Sequence, residues 1–60
     1  MDIKSVEEYT SILESEGRVN IGTSAVYFED KYFIVEESDG ECFSFDLSES
    51  AIEHAIETIK

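Results

Sequence analysis

Three sets of side chains in this sequence carry groups that could do chemistry. Cys42 and His54 are the lone cysteine and histidine, Glu36 to Glu41 form an acidic loop, and Glu49, Glu53 and Glu57 recur at every fourth residue. A cysteine paired with a histidine becomes a nucleophile only where positive charge stabilises its thiolate. Here Cys42 follows Glu41, and His54 lies between Glu53 and Glu57, so the field opposes activation. Acid–base catalysis by carboxylates needs one pair set apart by an apolar wall, and abundance alone does not supply that. Gly17, Gly22 and Gly40 are too scattered to cradle a phosphate. The residues therefore predict no catalytic site and no cofactor: a protein that is not an enzyme.

Metal chemistry fares no better. One cysteine and one histidine do not make a tetrahedral zinc set. The stretch Glu36-Glu37-Ser38-Asp39-Gly40-Glu41 is too short to supply the alternating ligands and distal glutamate of a calcium loop, and it reads as a turn.

Charge is the dominant property, with 15 Asp and Glu against 4 Lys and Arg, a formal net charge of -11. Such a chain repels nucleic acid and anionic lipid, so its electrostatic partner is a basic protein surface. Glu49, Glu53 and Glu57 would stand about 6 Å apart along a helix axis. Duplex nucleic acid carries a charge about every 3.4 Å of rise on each strand, with a longer step through space along the backbone, and a carboxylate row imitates that pattern. Exposed helix faces are also charged for solubility, and adaptation to high salt is another source of acidity. Ordinary helices nevertheless intersperse lysines for small pairing energies, whereas this stretch holds only Lys60. The partner-binding residues expected are Glu49, Glu53 and Glu57, joined by Asp39, Glu41 and Asp46 if the last strand lies beside the last helix.

Sixty residues make one domain, 1–60, with one thin core, because a chain this short buries only about 60% of its unfolded surface. A lone cysteine and a Met start with no apolar signal region point to a cytoplasmic setting. The longest uncharged apolar run, Tyr32 to Val35, cannot span a membrane.

Ser5 with Glu8 forms a capping box ahead of Val6, Tyr9, Ile12 and Leu13, which share one helical face, and Gly17 supplies a left-handed exit. A first helix is thus predicted from about Val6 to Glu16. From Arg18 to Leu47, short runs rich in Val, Ile, Phe and Tyr predict a three-stranded meander. Gly22 suggests a bulge or bend early in it. Asp39-Gly40 suits a two-residue type I′ turn, which pairs Glu36 with Phe43, Ile34 with Phe45 and Tyr32 with Leu47 on the core face. Phe33 and Val35 then lie on the outer face. They are joined there by Tyr27 and Ala25 if the first hairpin loop has three residues, or by Phe28 and Val26 if it has two. Ser50 with Glu53 offers a second capping box before the stripe Ala51, Ile52, Ala55, Ile56 and Ile59, so a second helix runs from about Glu49 to the C-terminus. The expected fold is α+β, a two-layer α-β-β-β-α arrangement with a three-stranded antiparallel meander and both helices on one face.

Two functions follow as expectations. The first is a nucleic-acid-mimicking inhibitor that occupies the cationic groove of a nucleic-acid-binding protein without binding nucleic acid itself. In size, acidity and lack of catalytic groups the chain resembles phage-encoded anti-defence proteins, such as anti-CRISPR and anti-restriction proteins, a likeness of overall character with no matched motif. The alternative is a protein–protein interaction module or homodimeric subunit that binds through the aromatic sheet face of Phe33, Val35 and Tyr27.

Overall fold

The computed structural model describes residues 4–59, in the order α1 (Val6–Glu16), β1 (Arg18–Ile21), β2 (Ser24–Glu29), β3 (Tyr32–Glu36), β4 (Cys42–Phe45) and α2 (Ser48–Thr58). The class is the expected α+β. The sheet has four antiparallel strands in sequential order, not three. The extra strand comes from Gly22. Instead of bending one strand, Gly22 (φ 62°) and Thr23 turn the chain back so that Ile21 pairs with Ser24 and Val19 with Val26. A single positive φ at the first turn position is the sign pattern of a type II′ hairpin.

The first helix forms as its residues predict. Ser5 Oγ accepts the Glu8 N–H at 3.2 Å, which makes the Ser5 half of the capping box. Gly17, at φ 83°, donates its N–H to the Leu13 carbonyl at 2.8 Å. Tyr9 and Leu13 are buried, with Val6 and Ile12 packed beside them.

The second helix departs from expectation at its start. It begins at Ser48, its N-cap is Leu47, and no side chain caps it, so the box anticipated at Ser50 and Glu53 is not used. The stripe itself is as expected: Ala51, Ile52, Ala55 and Ile56 are buried. The helix ends at Thr58, with Ile59 as its non-helical C-cap, short of the expected C-terminus, and Lys60 lies outside the described residues.

Strand register is where the sequence reading needs its main correction. The β2–β3 turn has two residues, Asp30 and Lys31, both at positive φ, and pairs Phe28 with Phe33 and Val26 with Val35. The β3–β4 connection is a five-residue loop in which Glu37 donates to the Glu41 carbonyl and Gly40 to the Glu37 carbonyl. Phe33 therefore pairs with Phe45, Val35 with Phe43 and Glu36 with Cys42. That is one residue away from the register a two-residue Asp39-Gly40 turn would give. Because side chains alternate, the slip moves Phe33 and Val35 to the same face as Phe43 and Phe45. This is the face the helices cover: Val19, Ile21, Val26 and Val35 form one core cluster with Tyr9, Leu13 and the α2 stripe. Burying these side chains together outweighs the local preference for the shorter turn.

Candidate functional site

Glu49, Glu53 and Glu57 are exposed on α2, clear of the buried stripe. Glu7 and Glu14 of α1 border the same surface as Ser48 and Glu49, while Lys4 and Ser5 border Glu53 and Glu57. The start of α1 thus meets the C-terminal half of α2, and the two helices run antiparallel. Carboxylates stand on both banks of the crease between them. The α1 bank was missed in the sequence, where the acidic row was placed on the last helix alone; the seven-residue spacing of Glu7 and Glu14 was the available signal. Among the described residues, neither Glu49 nor Glu53 has a Lys or Arg ion-pair partner.

Of the further acidic positions, Asp39 and Glu41 lie in the β3–β4 loop, while Asp46 directly precedes Leu47, the N-cap of α2. Within the loop Asp39 accepts the Glu41 N–H through Oδ1 at 3.0 Å. The loop reaches α2 through a different residue, Glu37, whose Oε2 lies 3.2 Å from His54 Nε2. The imidazole sits against the rings of Phe43 and Phe45, with centroids 4.7 and 5.3 Å away. His54 is thus an anchor between helix, sheet and loop rather than a free surface group.

Cys42 and His54 are not brought together. His54 packs on the helix-covered face, beside Phe43 and Phe45. Cys42 is exposed and pairs with Glu36, one position out of phase with Phe43, so its side chain belongs to the opposite face. Among the described residues, no group of three or more His, Cys, Asp or Glu is placed to hold a metal ion. None of the helices there is long and apolar enough to cross a membrane.

Phe33, Val35 and Tyr27 do not form one patch. Val35 is fully buried, Phe33 is half-buried on the same face, and Tyr27 lies on the outer face opposite Arg18 and Ile34. The Arg18 guanidinium stands 5.8 Å from the Tyr27 ring centroid. The Tyr27 phenol is raised above its ordinary value, first by loss of solvent around it and then by the carboxylate of Glu36, with Cys42 and Glu29 adding and Arg18 opposing.

Large apolar side chains are exposed elsewhere, among them Phe28, which the sequence reading joined to Phe33 and Val35 only if the first hairpin loop had two residues. Leu47 is 62% exposed, Phe28 57% and Tyr32 48%. Phe28 was expected on either sheet face according to loop length, and Leu47 in the core. No protein-family model, curated protein or solved structure matches this chain.

Proposed function

We propose that this chain is a non-enzymatic acidic binder that occupies a basic groove of a nucleic-acid-binding protein, in the cytoplasm, in place of nucleic acid. The observation that carries this reading is the pair of carboxylate banks, Glu7 and Glu14 on α1 and Glu49, Glu53 and Glu57 on α2. Packed helix axes lie about 8–10 Å apart. That axis spacing is of the order of duplex groove widths, about 6 and 12 Å. Glu7, Glu14, Glu49 and Glu53, like charges held close together, weaken a small fold unless a cationic partner takes them up. A partner shaped for phosphates would do so.

The alternative, a module or homodimeric subunit that binds through the aromatic sheet face, loses Val35 to the core, and Phe33, half-buried, lies on the helix-covered face apart from Tyr27. What is left to it on the outer face is Tyr27, Ile34 and the exposed Tyr32.

The test is capture of the partner from a cell lysate at low salt, followed by competition with duplex DNA. Binding should fall steeply as salt rises, duplex DNA should displace the protein, and reversing Glu49, Glu53 and Glu57 to lysine should abolish capture. Binding indifferent to ionic strength, or unaffected by DNA, sinks the reading.

A further inference from the structure

We infer that the corner formed by Phe28, Phe33, Phe45 and Leu47 is a docking surface for a basic amphipathic segment of a partner protein. The inference rests on the acidic-binder reading and adds an apolar anchor to it. Phe28, Phe33 and Phe45 are neighbours across β2, β3 and β4 on the helix-covered face, and the Phe28 and Phe33 ring centroids are 4.9 Å apart. Further along the same face Val26 and Val35 are completely buried, yet Phe28 is 57% exposed. The helices leave this end open because α2 starts here and runs away from it toward Gly22, while α1 packs along β1 and α2.

Leu47 is the second, independent observation. It stands at the N-cap of α2, where Ser, Thr, Asp or Asn would accept an orphan backbone N–H, and it makes no capping bond. It is also 62% exposed. Neither helix initiation nor burial accounts for a leucine here, whereas contact with a partner does. Apolar surface enclosed by a polar rim is the anatomy of a binding patch. The rim supplies the partner's chemistry: in sequence Asp46 and Glu49 lie on either side of Leu47, and Glu29 and Asp30 follow Phe28, so four carboxylates stand against the single cation of the turn, Lys31. A second copy of this chain, with net charge -11, would set carboxylates against carboxylates, and an anionic lipid surface would be repelled likewise. A helix with apolar anchors at i, i+3, i+4 and i+7 and lysines elsewhere matches both centre and rim.

The test uses the full chain and a synthetic Lys–Leu helix of about 18 residues, roughly five turns, with a charge-matched Lys–Ser peptide as control. Calorimetry near physiological salt should show the Lys–Leu peptide binding and the control binding far more weakly. Leu47→Ser and Phe28→Ser should each weaken binding by about tenfold or more. Leu47→Ser should melt no lower than the parent, because serine caps the helix. Equal binding by both variants, equal binding of the two peptides, or a lower melting point for Leu47→Ser overturns the inference. So does self-association that Leu47→Ser removes, since a second copy would then cover the corner. If reversal of Glu49, Glu53 and Glu57 abolishes binding while both apolar variants bind normally, this inference falls and the acidic-binder reading stands.

Discussion

At one end of the sheet Gly22 and Thr23 turn the chain beneath Ile59, and at the other Asp30 and Lys31 turn it in open solvent. The first end follows the usual backbone preferences, although the Ser24 hydroxyl beside its turn is buried with no hydrogen-bond partner among the described residues. A glycine takes the positive φ, the side chain of Ile59 at the C-cap of α2 fills the space above it, and α1 begins with a serine cap. The second end departs from them three times, with a lysine at φ 72°, a leucine at a helix N-cap and a phenylalanine left exposed. Sequences that fold well satisfy local preferences nearly everywhere, and departures concentrate where function competes with stability. Their concentration at one end is the reason to look for a partner there.

The largest expected effect lies at the closed end. Gly22→Ala should lose about 2–3 kcal/mol, from an L-residue held at positive φ and from collision with Ile59. Urea denaturation measures this, and pairing it with Ile59→Ala should recover the collision share while leaving the backbone share. A change that costs almost nothing would mean this end is as loose as the other.

Next in size is the contrast between the helix starts. Ser5→Ala removes the bond to the Glu8 N–H and should lower stability by about 1 kcal/mol in the same assay. If Ser5→Ala is neutral, caps matter little in this fold and the significance of Leu47 at the other start shrinks.

At the open end, Lys31→Gly should raise stability by about 0.5–1 kcal/mol, because glycine accepts the left-handed conformation that lysine holds at φ 72°. Loss of stability instead would show that the lysine side chain supports the turn.

The smallest effect concerns the outer sheet face. Ultraviolet titration should place the Tyr27 phenol above 10.0, and Glu36→Gln should bring it down without restoring it fully, since lost solvation ranks first among its causes. The folded value exceeds the unfolded one, so the neutral phenol favours the fold. That contribution is whole below the ordinary phenol value and is lost as pH rises through the folded one.

Much of the architecture was legible in local sequence. Ser5, the Val6–Tyr9–Ile12–Leu13 face and Gly17 delimit α1 because caps and helical periodicity act over a few residues. Glu49, Glu53 and Glu57 could likewise be placed on an exposed ridge, since they alternate with a stripe that must be buried. The second acidic bank could not be placed, because Glu7 and Glu14 face the crease only once α1 lies antiparallel to α2. The exposed corner was hidden for a related reason. Leu47 reads as a core residue by strand alternation and Phe28 as a member of either sheet face, and their exposure depends on where the helices end above the sheet.

The sequence by itself determined the two helices, the net charge and the apolar stripe of each helix, all of which follow from composition and short-range spacing, whereas the fourth strand escaped it. Tertiary structure decided which face of the sheet those helices cover. Asp39-Gly40 invites a two-residue turn, but Glu37 reaches His54, and Phe33, Val35, Phe43 and Phe45 meet the helices only when the loop has five residues. In a strand one residue of register exchanges the two faces, so contacts between distant parts of the chain, rather than any local preference, fix what is buried and what is left to bind.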